Sequence, residues 1–270
     1  MKKSSGQGLN SQLVKPKKQL GQYWLKQKSV LNKIIDSADL KKEDLVIEIG
    51  PGLGILTKEL AEKAGKVIAI EKDSSLIHIL RENLQELKNI EIIFGDALKT
   101  DFNHFKDYKI VANLPYYAAT AIIRKLLESE TKPKLMILML QKEVAQRICP
   151  KSSKMSLLAI SIQLYADAKI IDYVSKNAFS PKPKVDSAII KIKPLTNNRE
   201  SVNIDLFFKI VKAGFSQPRK QLLNNLSKNL KLPKEEIKIW LNNNDIDSIK
   251  RGQDLNLNDW LALTKKFPKP

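Results

Sequence analysis

The sequence holds one cysteine, Cys149, and two histidines, His78 and His104, in 270 residues. A lone cysteine excludes an internal disulfide framework and a cysteine-based zinc cluster. The histidines lie far from each other and from Cys149, so neither a metal site nor Cys–His chemistry is expected. Glycine is sparse, with ten in the chain. No apolar run approaches the ~18 residues that a membrane span needs. The opening Met1-Lys2-Lys3-Ser4-Ser5-Gly6 is basic but has no apolar stretch after it. Secretion and membrane insertion are therefore not expected, and a cytoplasmic location is. Acidic residues are outnumbered, 29 Asp and Glu against 47 Lys and Arg, which leaves a formal charge of +18. Hydrophobic residues make up 43%, enough for a packed core, which excludes a wholly disordered chain.

That charge asks for an anionic partner, and nucleic acid is the expected one. The basic residues cluster. Residues 1–28 carry Lys2, Lys3, Lys15, Lys17, Lys18, Lys26 and Lys28 and no acid. Lys182, Lys184 and Lys191 surround a proline-rich stretch, and Arg219-Lys220 and Lys250-Arg251 form two doublets further on.

Residues 1–16 are polar and unpatterned and read as a flexible basic tail. Val30, Leu31, Ile34 and Ile35 fit one helix face with Ser29 as N-cap. An alternation then begins. Strands are expected at Leu45–Ile49, Val67–Ile70, Ile90–Phe94, Ile110–Ala112 and Leu135–Leu140. Helices are expected after Gly54 (with Gly65 just past the end), at Ser74–Leu87, at Ala118–Glu128 and from Lys142. This is the pattern of a doubly wound, Rossmann-like parallel α/β sheet. Leu157–Tyr165 reads as a helix. Ala168–Val174 and Val185–Ile192 read as two strands that close the sheet with an antiparallel edge. Pro194–Asn203 is the linker candidate. From Ile204 the chain reads as several short helices. The expected organisation is a tail, a cofactor-binding domain over 17–198 and a small all-helical domain over 199–270 that binds RNA.

Three of the ten glycines stand at Gly50, Gly52 and Gly54, between a strand and a helix. Such a turn lets backbone approach a ligand closely. The spacing is not that of a dinucleotide fingerprint, and no Gly-Lys-Ser/Thr follows, which excludes a P-loop. Polar residues close four successive strands, at Glu48/Gly50, Glu71, Asp96 and Asn113. Open α/β sheets bind ligands at these carboxyl ends, and an acid about 20 residues past the first glycine commonly holds a ribose hydroxyl pair. Glu71 is that acid, and Asp96 is placed to accept from an adenine amino group. An adenosine-bearing cofactor without a pyrophosphate fits, and S-adenosylmethionine fits better than NAD.

Asn113-Leu114-Pro115-Tyr116 resembles the [N/D]-x-P-[Y/F] segment of methyltransferases acting on adenine amino groups. An exocyclic amine is a poor nucleophile because its lone pair is delocalised into the ring. Asn113 Oδ1 and the Leu114 carbonyl would grip its N–H groups, Pro115 would stiffen the turn and Tyr116 would stack on the base.

Beyond that segment the chain resembles the KsgA-type ribosomal RNA adenine dimethyltransferases, from Lys17 to about Leu263. The resemblance rests on Lys17–Leu25 (KKQLGQYWL), Glu48–Gly54, Gly95–Leu98, Asn113–Tyr116, Gln141–Arg147, Phe179–Ser187 and Phe215–Lys220. It implies a class I methyltransferase sheet with a helical C-terminal domain. Cofactor contacts would fall to Tyr23, Leu25, Gly50, Gly52, Glu71, Asp96 and Asn113. Asn113, Leu114, Tyr116 and Phe179 would act on the target base, and Lys17, Lys18, Arg219 and Lys220 on RNA. The implied reaction is methyl transfer from S-adenosylmethionine to N6 of two adjacent adenines in the 3′-terminal hairpin of small-subunit (16S) rRNA. The implied partner is the immature 30S subunit, met by a monomer. The chain departs from the family at Tyr23, where Asn or His is usual, and at Trp24, where Phe is usual. It departs again at Tyr117, in place of a frequent Asn, and at Pro218, in place of a frequent Arg. Three alternatives stay open at this point: an adenine N6-methyltransferase on large-subunit rRNA, a non-catalytic RNA-binding assembly factor, and a small-molecule methyltransferase.

Overall fold

The computed structural model describes residues 16–17, 21–150, 154–195 and 202–268. In chain order these form β1 (Trp24–Leu25), α1 (Lys28–Ala38), β2 (Leu45–Ile49), α2 (Ile55–Lys63) and β3 (Lys66–Glu71). Next come α3 (Ser74–Leu84), β4 (Ile90–Phe94), β5 (Tyr108–Asn113), α4 (Ala119–Glu128), β6 (Leu135–Gln141) and α5 (Lys142–Ile148). The chain continues through α6 (Leu157–Gln163), β7 (Ala166–Val174), β8 (Phe179–Ser180) and β9 (Ser187–Pro194). It ends with α7 (Ile204–Gly214), α8 (Leu222–Leu230), α9 (Lys234–Asn242) and α10 (Leu257–Lys265).

The main sheet runs β4-β3-β2-β5-β6-β9-β7. Strands β2 to β6 pair in parallel, and β9 lies antiparallel to β6 with Met139 opposite Ile189. The central strands are continuous apolar runs because both faces are covered; Leu135–Leu140 of β6 is buried throughout. From β2 the chain moves outward through β3 and β4, then returns to place β5 on the other flank of β2. The order therefore reverses between β2 and β5, and the carboxyl ends of these two strands carry Gly50 and Asn113. A crevice opens at such a reversal because the flanking connections leave in opposite directions. Strands β1 and β8 form a separate antiparallel pair, with Trp24 opposite Ser180 and Leu25 opposite Phe179.

The β1–β8 pair is not among the expected strands, and two helix ends also differ from expectation. The N-cap of α1 is Gln27, not Ser29, because the Val30 and Leu31 amides already bond back to the Gln27 carbonyl. Gly65 follows α2 but is not among the residues with positive φ. It is glycine for lack of room, since a β-carbon there would strike the Lys42 carbonyl.

The chain divides into two compact units, one running to Ala145 and including Ala168–Pro194, the other formed by Gln146–Asp167 and Leu195–Pro270. The expected boundary at 198 falls near the second crossing but misses the first. Residues 146–167 belong with the helices because Ile160 and Leu164 bury in the same core as Phe207, Leu226, Trp240 and Trp260. The expected tail, apart from Pro16, and most of the linker lie outside the described residues. Among the described residues no helix is long and apolar enough to cross a membrane.

Candidate active site

The glycine turn follows β2 directly, and Gly50, Gly52 and Gly54 all take positive φ. Gly52 shows why side chains are excluded. Its φ of +60° strains any L-residue, and a β-carbon there would lie 3.2 Å from Cδ1 and Nε1 of Trp24. The turn, β1 and the ends of β2, β3 and β5 enclose one cleft of about 960 Å³, solvent at its mouth included. Tyr23, Leu25, Gly50, Gly52, Glu71, Asp96 and Asn113 all line it. These residues span 91 positions of chain, and the fold brings them to one cleft.

Glu71 ends β3 and is only 6% exposed. Its Oε2 accepts from the Gly52 amide at 3.1 Å and its Oε1 from the Asp73 amide at 2.8 Å. Burial raises its pKa above the ordinary value, against the pull of those backbone donors. Glu48, two positions before Gly50, lines the cleft and is buried. Burial lifts its carboxyl to about 8; the neighbouring Thr57 hydroxyl opposes this and the charge on Glu71 adds to it. Glu48 Oε2 and Trp24 Nε1 are buried polar atoms without a hydrogen-bond partner. On the far side, Asp96 pairs with Lys72 at 2.8 Å, which holds its carboxyl below the ordinary value despite partial burial.

These residues fit an adenosyl sulfonium cofactor. The Glu71 and Asp96 carboxyls at the cleft disfavour a pyrophosphate and suit a cationic ligand. Glu71 and Asp96, the acids expected for a ribose hydroxyl pair and an adenine amino group, both line this cleft. Unsatisfied polar atoms in a cleft wall are what a polar ligand would complete.

At the end of β5, Asn113 Nδ2 donates to the Tyr23 carbonyl at 3.1 Å. The Leu114 amide bonds to the Met139 carbonyl, and the Leu114 side chain is 1% exposed. Among the described residues no hydrogen bond reaches the Leu114 carbonyl. The Tyr116 ring stacks on the Tyr23 ring with centroids 5.6 Å apart, and its hydroxyl meets Ser187 Oγ at 2.7 Å. Tyr23 thus lines the cofactor cleft and touches the expected base-stacking ring at once. Phe179 is not a cleft residue. It is 5% exposed and packs with Leu25, Val174 and Ile189.

The basic residues divide. Lys17 was expected on RNA, but its ammonium is spent on Asp73 at 2.8 Å and on the Ser75 hydroxyl at 3.0 Å. The reason is that Asp73, the N-cap of α3, is 4% exposed and needs a counter-charge. Gln22 donates to the same carboxylate at 2.7 Å. Burial alone would raise the Asp73 pKa, yet the bonds from Lys17, Ser75 and Gln22 bring it down to about 2. Lys18 lies outside the described residues. Arg219 and Lys220 are exposed in the helical unit. Sequence spacing gave no sign of Lys72 or Ser187 as site residues. Lys72 adjoins Glu71, but its ion pair with Asp96 spans two strands and is visible only once both are folded.

The ribosomal RNA adenine dimethylase family matches residues 14–266 of the chain. The chain is 44% identical over 259 residues to a ribosomal RNA small subunit methyltransferase A of Dehalococcoides mccartyi, covering 94% of this chain and 89% of the relative. It is equally 44% identical over 263 residues to the protein of that name from Clostridium botulinum, covering 95% of each. Among solved structures, a dimethyladenosine transferase from Plasmodium falciparum superposes with a TM-score of 0.77 at 32% identity, covering 90% of this chain and 96% of that one. The 23S rRNA methyltransferase ErmE superposes with a TM-score of 0.74 at 25% identity, covering 90% and 98%.

Proposed function

The chain belongs to the ribosomal RNA adenine dimethylase family, and from that premise we propose that it dimethylates N6 of two adjacent adenines near the 3′ end of small-subunit rRNA. It is an S-adenosylmethionine-dependent methyltransferase. The cofactor supplies an electrophilic methyl group on sulfur. Glu71 holds the ribose, Asp96 the adenine amino group, and the Gly50–Gly54 turn admits the ligand against bare backbone.

The observation that carries the reading is the orientation of Asn113. A carbonyl only accepts, so the bond to Tyr23 turns the amide nitrogen away and leaves Oδ1 for the substrate. Asn113 Oδ1 and the Leu114 carbonyl then take the two N–H groups of the exocyclic amine. Gripped this way, the lone pair is drawn out of ring conjugation and aimed into the cleft. No strong base is required, because the methylated amine is cationic and sheds its proton readily. Tyr116 stacks on the base, and Phe179 backs the slot from the core. Extrusion of the adenine costs a few kcal/mol, and stacking returns roughly 1–3 kcal/mol per base.

We assign the immature small subunit as substrate, a monomer as the working form and the cytoplasm as its place. The name of the Clostridium relative, matched over 95% of its length, favours the small subunit over the large-subunit target named for ErmE.

The test incubates the protein with methyl-labelled S-adenosylmethionine and small subunits from an unmethylated strain, then weighs the nucleosides released by digestion. Dimethyladenosine at adjacent positions is the expected product. No label with cofactor bound, followed by label once large subunits are supplied instead or by none there either, would replace this reading with one of the alternatives.

A further inference from the structure

We propose that Ser187 is a positioning residue for this reaction: its hydroxyl fixes the axis of the Tyr116 ring, the ring that receives the target adenine. The proposal rests on the reading that Tyr116 stacks on that base.

Ser187 is fully buried at the first position of β9, ahead of the apolar run Ala188–Ile190. A polar group in such a place needs a partner. The partner is Tyr116, 71 residues away, whose hydroxyl lies 2.7 Å from Ser187 Oγ. The serine is held on a stiff frame. It stands opposite Gln141 in the β6–β9 ladder. The Asp186 carbonyl before it accepts from the Lys142 amide at 3.0 Å, and the Asp186 carboxylate accepts from the Lys176 amide at 3.0 Å.

Tyr116 has no such frame of its own. It lies in the turn between β5 and α4, beside Tyr117, which is 55% exposed. Anchoring the phenol oxygen fixes the far end of the ring axis, while the backbone fixes the near end. Rotation about that axis is the one freedom left, and the Tyr23 ring at 5.6 Å, inclined by 29°, restricts it. A stacking surface held this way loses little freedom when a base arrives, which is where a preorganised contact gains over a mobile one. Nothing in the spacing of the two residues announces the pair.

The experiment compares wild type with Ser187→Ala, Tyr116→Phe, the double variant and Tyr116→Ala. Readouts are steady-state methylation of unmethylated small subunits, calorimetric affinity for S-adenosylhomocysteine, and the melting temperature. Each hydroxyl deletion is expected to lower kcat about 3- to 10-fold, the range of one net hydrogen bond. Cofactor affinity stays unchanged, and the double variant is no worse than the weaker single variant, as coupled residues require. Unchanged kcat in Ser187→Ala and Tyr116→Phe, with only a lower melting temperature, would reduce the pair to packing and overturn the proposal. Should Ser187→Ala not fold, Tyr116→Phe removes the same bond from its other end and decides alone. Full turnover by Tyr116→Ala would sink the stacking reading itself, a result distinct from failure of the Ser187 role.

Discussion

Asn113 Nδ2 donates to the backbone carbonyl of Tyr23 across 3.1 Å, joining residues 90 positions apart. One bond thereby ties the segment ahead of β1 to the end of β5 and turns the amide nitrogen toward Tyr23.

Asn113→Ala removes both the grip on the amine and the tie to Tyr23. Turnover is expected to fall about 10²-fold or more, by analogy with loss of a preorganised polar group. Asn113→Asp is expected to fare no better, although it keeps an acceptor, because a carboxylate cannot donate to the Tyr23 carbonyl. Single-turnover rates with saturating cofactor check both, and near-normal transfer in Asn113→Asp would show that the tie does not matter.

Phe179 is a buried ring, so an alanine there tests packing before it tests catalysis. Phe179→Leu keeps most of the volume and is expected to cost less than about 1.5 kcal/mol of stability. The slot loses its backing, and turnover should drop by less than about 5-fold, below the worth of one stacked base. Full turnover by this variant would make Phe179 a core residue only.

Arg219 and Lys220 are exposed and are assigned to RNA phosphates. With about six phosphates neutralised, RNA affinity should fall roughly 10³-fold between 50 and 200 mM salt. Replacing either residue by alanine should reduce the slope of log affinity against log salt by about one. An unchanged slope in both variants would place the phosphate contacts elsewhere.

Asp73 has its pKa depressed from 3.8 to about 2. Its stabilising effect is therefore complete above the unfolded value and is lost as pH falls through the folded one. Asp73→Asn should lower stability at neutral pH by roughly 1–2 kcal/mol, discounted because the Lys17 end is half exposed. The gap should close near pH 2, a point that urea melts across the acid range can check.

Glu48 behaves in the opposite sense. Its pKa rises from 4.5 to about 8 on folding, so the folded chain holds more protons than the unfolded one between those values. Stability should decline as pH climbs through that window. Glu48→Gln should flatten the decline in cofactor-free protein, and melts at pH 5 and pH 8.5 that shift equally in both proteins would contradict the burial argument.

Much of the first unit was legible in sequence because its signals are local. Leu45–Ile49 and Ile90–Phe94 are strands with the expected ends, since a short apolar run between turns has few other uses. The glycine turn and the acids at strand ends followed from the same alternation, since parallel strands deliver their carboxyl ends to one edge. The resemblance carried Asn113-Leu114-Pro115-Tyr116 to a reaction class. The Gln146–Asp167 excursion was not legible, because an amphipathic helix does not say which core receives its apolar face.

By itself, then, the sequence determined the alternation of the parallel strands and helices, the polar residues at the strand ends and the kind of ligand expected there. Only the tertiary structure decided how those residues are spent. It turned the amide of Asn113, committed Lys17 to a buried Asp73, paired Lys72 with Asp96, and set Ser187 against Tyr116. Each is a contact between elements distant in the chain. Charge type and hydrogen-bonding capacity are written residue by residue, but partners are chosen by burial, which exists only once the sheet has closed.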